Sequence, residues 1–355
     1  MTQTNSLLST AKLGDIDIAN RVVMAPMTRN RADPDGTPND IMRDYYAQRA
    51  SAGLIVAEGT WTVAAGQAYN RQPGIETEQH IAGWRAVTDA VHQAGGKIVL
   101  QIMHAGRIGS HHIKGENVAT VAPSAIQARG EVHTDSAGMQ PFDMPVELST
   151  QEVWQVIEEH RQAAENALKA GFDGVELHCT SGYLPMQFLC SDSNQRTDEF
   201  GVSVQGRVKF AVECLRAMAT VFASGCVGLR INPGNRFNDT KDADPEQSHI
   251  ALLDEVADLN LGYLHMMRAP IESIDAFKIG RERFMGSLII NDGFDANLAE
   301  QAINNKEADA VSFARHYVSN PDFVKRIAAD LPITKFDRKT LYTPGASGYS
   351  DYPNA

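Results

Sequence analysis

The sequence predicts one closed (βα)8 barrel, a TIM barrel, spanning residues 1–355 as a single domain. Three observations predict it. Short apolar runs alternate with longer amphipathic stretches along the whole chain, with no domain-sized linker between them. The length of 355 residues suits one such barrel carrying insertions. Polar and titratable residues also gather where the apolar runs end, and barrels carry their chemistry on that face. An open doubly wound sheet is the alternative, but it would normally show a Gly-x-Gly-x-x-Gly turn after an early strand, and none stands there.

The elements follow in order. Residues 11–20 alternate around Gly14 and read as an N-terminal hairpin closing the barrel's bottom. A first strand covers 21–27, and Thr37-Pro38-Asn39 opens a helix reaching about 51. The second strand, 54–57, ends at Glu58-Gly59, and a helix over 79–94 is stopped by Gly95-Gly96. The third strand, 97–103, leads to a long aperiodic segment, 106–147, rich in Gly, His and Pro. That segment exceeds ordinary loop length and reads as a lid or capping insertion. Ser149 or Thr150 caps an amphipathic helix that runs to 170 and stops at Gly171. The fourth strand starts at Gly174. Helices over 204–222, 245–259 and 271–283 then alternate with strands over 227–231, 263–267 and 287–290. Asp295 caps a helix to about 304, an eighth strand covers 310–314, and a last helix ends near 329. The tail, 335–355, reads as an ordered loop.

Composition limits the function. The formal charge of −12 disfavours nucleic-acid binding as the main activity, though a local basic pocket can still hold one anionic ligand. Cys179, Cys190, Cys214 and Cys226 lack the spacing of zinc ligands, so no metal is expected, and free thiols suit a cytoplasmic setting. No secretory signal is visible and no apolar run is long enough to span a bilayer, so neither membrane nor export is expected.

The chemistry centres on Gly174-Val-Glu-Leu-His178-Cys-Thr-Ser181-Gly-Tyr183. A strand ends at His178, and in a continued strand positions 178 and 183 would face opposite sides. A turn at Gly182 is therefore needed to bring imidazole, hydroxyl and phenol to one pocket. Other strand ends carry Thr28, Gly59, Gln101 and Arg230. Gln supplies both donor and acceptor to a flavin's pyrimidine edge, and Arg balances the charge that reduction places there. Near the ends of strands seven and eight, Asp292-Gly293 and Ala314-Arg315 make a candidate phosphate site, with Gly293 allowing close approach and Arg315 offering a fork. An Arg315 salt bridge across the barrel top is the alternative. Together these residues point to noncovalent flavin mononucleotide (FMN).

The chain resembles the old yellow enzyme family of flavin-dependent ene-reductases. His178, Ser181, Tyr183, Leu184, Gln187 and Phe188 match its central pattern, except that Ser181 replaces Asn or His. Asn20-Arg21 through Pro26-Met27-Thr28-Arg29 is similar to the first-strand signature, and Gln48-Arg49 through Glu58-Gly59 to the second. Gly83-Trp84, Gln101 and His104-Ala105-Gly106-Arg107 match around the third strand, and Asn194-Gln195-Arg196-Thr197-Asp198 after the fourth. The segment from Asp309 to Arg315, Asn320-Pro321-Asp322, and Tyr349 to Pro353 match the last strand and tail. Met103 stands where many relatives have Trp, Asn291-Asp292 where Gly or Ala is common, and Ala314 where Gly is usual. Thr28 places the chain with the Thr-type members.

The resemblance implies FMN held by Pro26, Met27, Thr28, Gly59, Gln101, Arg230, Asn291, Asp292, Gly293, Ala314 and Arg315, and reduced by NADPH or NADH. It implies reduction of activated alkenes: α,β-unsaturated carbonyls, nitroalkenes and maleimides. His178 and position 181 would hold the activating oxygen, and Tyr183 would protonate the α carbon. Tyr69 and Met103 would complete the pocket, with Tyr349 and Tyr352 of the tail contributing. A monomer or homodimer is expected. A nitrate-ester or nitroaromatic reductase on the same scaffold is one alternative. The other is a metal-dependent barrel hydrolase using His104, His178 and His265, which would want a His-x-His pair on the first strand, and residues 22–27 have none.

Overall fold

The computed structural model describes residues 6–355. Its centre is a closed parallel sheet. The barrel strands are β1 (Val22–Met24), β2 (Leu54–Val56), β3 (Ile98–Met103), β4 (Gly174–Cys179), β5 (Val227–Ile231), β6 (Tyr263–Met267), β7 (Ser287–Asn291) and β8 (Ala310–Phe313). Each pairs in parallel with its sequence neighbour, and β8 pairs with β1 to close the ring. A short extra strand, Thr60–Trp61, lies against the upper end of β3.

All eight strands are buried on both faces apart from the ends of β6 and β7, because helices cover the outside and side chains fill the inside. That double burial is why they read as apolar runs. The helices carry the caps expected of them. Ser149 and Glu152 form a reciprocal capping box on helix Thr150–Lys169, and Asp295 caps Ala296–Asn304. Helix Ala276–Arg283 begins five residues later than the expected 271, because its cap is Asp275 rather than Ile271. The expected last helix divides into Arg315–Ser319 and Phe323–Ala328, with Pro321 between them.

The N-terminal hairpin, Ala11–Leu13 with Ile16–Ile18, closes the bottom of the barrel. Its Leu13, Ile16 and Ile18 pack against the inward residues Val23, Leu54, Val56, Val99, Tyr263, Ile289 and Ala310. Two residues further along several strands, the inward layer turns polar: Gln101, Glu176, His265, Asn291 and Ser312 are all buried. The two-residue period of a strand thus stacks an apolar plug below a polar floor.

The segment 106–147 is ordered. It holds a helical turn, His111–Lys114, and an antiparallel hairpin, Glu131–Thr134 with Gly138–Pro141. The C-terminal tail is tied down by buried arginines. Arg29 donates to the carbonyls of Leu341 and Gly348, Arg31 to those of Thr340, Gly345 and Ser347, and Arg49 to that of Tyr349. Tyr349 stacks on Tyr45 with ring centroids 3.9 Å apart. No helix among the described residues is long and apolar enough to cross a membrane.

Candidate active site

The C-terminal mouth of the barrel gathers the predicted residues. His178 ends β4 in an extended run, and Ser181 and Gly182 then both adopt positive φ, 59° and 74°. Two consecutive left-handed residues turn the chain sharply, so Tyr183 comes back over His178 with ring centroids 5.1 Å apart. Gln187 locks the turn. Its Nε2 donates to the carbonyls of Ala105 (2.9 Å) and Gly182 (2.8 Å), and its Oε1 accepts from the Arg107 amide (3.1 Å). Phe188 stacks on Phe210 beneath it. The downstream Asn194 and Arg196 are likewise structural: Asn194 bonds the carbonyls of Phe188 and Phe200, and Arg196 pairs with Asp198.

Tyr183 shares a 2.8 Å hydroxyl–hydroxyl bond with Tyr69. Burial, then the adjoining Tyr69, hold the Tyr183 phenol well above its usual pKa, so it keeps its proton. Met103 and Tyr69 pack with Tyr183 in one cluster, roofed by Ile108, Ala128, Val132 and Phe142 of the 106–147 segment. Burial and the charge of Arg230 push His178 down to about 3, leaving a neutral imidazole. Its Nδ1 is buried without a partner among the described residues.

Gln101 and Arg230 stand on the polar floor but do not touch. Gln101 donates to Glu176 (2.8 Å), Glu176 accepts from His265 Nδ1 (2.8 Å), and His265 Nε2 meets Arg230 Nη1. Asn291 Oδ1 accepts from Arg230 Nη2 (2.9 Å), while Asn291 Nδ2 donates to the Ser312 carbonyl (2.9 Å). The Gln101 carbonyl oxygen and the Arg230 Nε–H carry no protein bond among the described residues. They present an acceptor and a donor, as a flavin's pyrimidine edge requires. Gly59 lies beside them, and a Cβ there would meet the Met103 sulfur at 2.8 Å, so the backbone must approach bare.

On the opposite rim, Asp292 and Gly293 both have φ of 82°. Arg315 directly follows the β8 end, is exposed and forms no ion pair among the described residues. Arg268 also reaches this rim, donating to the Asp292 carbonyl and stacking on Phe277 and Phe294. Pro26, Met27 and Thr28 follow β1 and are half-buried, as is Ala314 after β8. Unpartnered polar groups, a bare glycine approach and a free guanidinium on one face fit FMN.

Four participants carry no local signal for their role in the sequence. Glu176 is hidden inside an apolar run, and His265 stands out in sequence only as a possible metal ligand. No cluster of three His, Cys, Asp or Glu among the described residues could hold a metal ion. Asn238, itself at φ 58°, donates to the Ser181 carbonyl (2.9 Å) and supports the turn from the next loop. The tail also brings Tyr342 near Tyr69 and Tyr183. The tail tyrosines expected at the pocket do other work: Tyr349 is fully buried in the arginine cluster, and the Tyr352 hydroxyl accepts from the Asp337 amide.

Comparison with known proteins defines the class. The profile of the NADH:flavin oxidoreductase / NADH oxidase family matches residues 6–334. The chain belongs to that family, the old yellow enzymes. It is 39% identical to a probable flavin mononucleotide-dependent alkene reductase of Leishmania infantum, over 98% of this chain and 97% of the relative. It is 36% identical to 12-oxophytodienoate reductase 1 of Oryza sativa subsp. japonica, over 98% and 92%. A solved structure of morphinone reductase in complex with tetrahydroNAD superimposes with a TM-score of 0.95 at 37% identity, covering 99% and 98%. The old yellow enzyme homologue from Zymomonas mobilis gives 0.94 at 35%, covering 98% and 99%.

Proposed function

We propose that the protein is an FMN-dependent ene-reductase of the Thr-type subgroup that uses NADPH or NADH to reduce activated carbon–carbon double bonds. The observation that carries this reading is the neutral His178 imidazole and the protonated Tyr183 phenol meeting above a polar floor that presents Gln101 and Arg230. Bound FMN would supply hydride transfer, from the nicotinamide to the β carbon of the alkene.

The chain's own residues do the rest. Gln101 and Arg230 would bind the pyrimidine edge, with Thr28, Gly59, Pro26 and Met27 along the ring. The turn Asn291-Asp292-Gly293, with Ala314 and Arg315, would take the phosphate through backbone amides and one guanidinium. His178 would donate a hydrogen bond to the alkene's carbonyl or nitro oxygen and stabilise charge developing there. Tyr183 would deliver its proton to the α carbon, and the Tyr69 hydroxyl would donate its hydrogen bond to the phenolate left behind. Segment 106–147 would act as a lid, since its side chains already roof Tyr183.

Purified protein is expected to be yellow, to release FMN on denaturation, and to oxidise NADPH when given an enone. A colourless preparation that ignores added FMN would sink the reading. Arg315→Ala is expected to weaken FMN retention by about tenfold or more, the worth of a hydrogen bond to a charged group. Titration of the apoprotein checks this. The melting temperature of the apoprotein should stay put, because the guanidinium has no ion pair to lose among the described residues.

A further inference from the structure

Glu176 and His265 lie beside Gln101 and Arg230 and are both fully enclosed. Strand register places them there: Glu176 is opposite Gln101 on β3, and His265 is opposite Arg230 on β5. Neither has a place in the reaction described above, yet they sit in the most protected layer of the barrel. A buried carboxylate and a buried imidazole are costly unless each polar atom is satisfied. Here the satisfaction follows a definite order. Glu176 Oε1 accepts from Gln101, and Oε2 accepts from His265 Nδ1–H. That leaves the lone pair of His265 Nε2 facing Arg230 Nη1–H and the Ser312 hydroxyl at 2.7 Å. The carboxylate therefore selects the imidazole tautomer, and the tautomer selects the guanidinium's position. Asn291 takes the other arm of Arg230, and its own amide is held by the Ser312 carbonyl.

We propose that Glu176, His265 and Asn291 are positioning residues that fix the Gln101 amide and the Arg230 guanidinium toward the flavin, and that the Glu176 charge offsets Arg230 and so lowers the flavin's midpoint potential. The inference rests on the FMN reading above. Two further features support it. His265 is pushed down to about 4, first by burial and then by Arg230, so the relay carries one negative and one positive charge. Burial pushes Glu176 up, but His265, Arg230 and Gln101 outweigh it and keep the carboxyl ionised.

The decisive variant is Glu176→Gln. It keeps the acceptor for Gln101 but turns an N–H toward His265. The imidazole must then move its proton to Nε2, where it opposes Arg230. A unit charge removed within a medium of effective dielectric about 20 changes a nearby charging equilibrium by more than tenfold. With holoprotein poised against reference dyes, the reduced-to-oxidised flavin ratio at a given potential is expected to rise at least tenfold, about 30 mV upward for a two-electron couple. Glu176→Asp retains the charge and is expected to stay near the wild-type potential. Asn291→Ala, which leaves the Glu176–His265 pair intact, is expected to weaken FMN binding severalfold in apoprotein titration.

An unshifted potential in a folded Glu176→Gln protein overturns the charge-offset role, as does an equal shift in Glu176→Asp. Should Glu176→Gln fail to fold, Asn291→Ala decides, and wild-type FMN affinity there overturns the proposal. A wild-type protein that binds no FMN overturns both this inference and the function it rests on. FMN binding in the wild type, with variants indistinguishable from it, overturns this inference alone.

Discussion

Tyr183→Phe is expected to leave flavin reduction by NADPH nearly intact and to slow enone reduction by about 10²–10⁴-fold, the span of a general-acid contribution. Phe keeps the ring's packing against Met103 and the 106–147 segment but removes the only hydroxyl of the pair that sits over His178. Stopped-flow traces of the two half-reactions separate the effects. The pH profile adds a second check. Tyr183 is held well above its usual value, and His178 lies near 3. Between about pH 5 and 9 the phenol is therefore protonated and the imidazole neutral throughout, so the wild-type enone half-reaction should be flat. An unchanged rate in Tyr183→Phe would mean that Tyr69 or water delivers the proton.

Ser181→Asn is expected to accelerate cyclohexenone reduction and to tighten phenol binding. A serine side chain is one bond shorter than that of asparagine and is expected to fall short of the substrate oxygen beside His178, so that the imidazole acts nearly alone or through a water. One well-placed donor to a developing oxyanion is worth roughly 2.7–4 kcal/mol, and a bridging water recovers part of that. Nitroalkenes and maleimides, which bring their own polarisation, should gain less. The backbone gives a second reason. Ser181 has φ of 59°, a left-handed conformation that Asn enters several-fold more readily than most residues. The variant should therefore melt slightly higher than the parent as well. The checks are steady-state rates on cyclohexenone against a nitroalkene, and a phenol titration followed by its long-wavelength charge-transfer band. If Asn improves neither turnover nor phenol affinity, the pocket has been rebuilt around serine.

The barrel was legible because double burial writes itself as apolar runs, and because Gly95, Gly171 and Asp295 punctuate helices by local chemistry. The strand-end residues were legible for a related reason: His178, Gln101 and Arg230 interrupt those runs. What stayed hidden was whatever depends on register between strands. Glu176 meets Gln101 and His265 across three strands, and no local pattern in the sequence records that meeting. Asn238 reaches Ser181 from 57 residues away. The tail is opaque in sequence on similar grounds. Tyr342, Tyr349 and Tyr352 look alike in sequence, and only the arginine cluster assigns Tyr349 to the interior and leaves Tyr342 60% exposed.

That cluster also makes the protein vulnerable at its far end. Arg29, Arg31 and Arg49 are each at most 1% exposed, and the carbonyls of residues 340–349 supply many of their acceptors. A premature stop codon near 340, or a protease nick that released the last turn, would take away most acceptors of Arg29 and Arg31, while Arg49 kept the carbonyls of Tyr45, Tyr317 and Val318. Hydrogen bonds to a charged group are worth about 1.5–3 kcal/mol each, so losing several removes a large part of the stability of an ordinary domain. Arg29 directly follows the β1 end that carries Thr28, so damage at the terminus would be felt first at the mouth of the barrel.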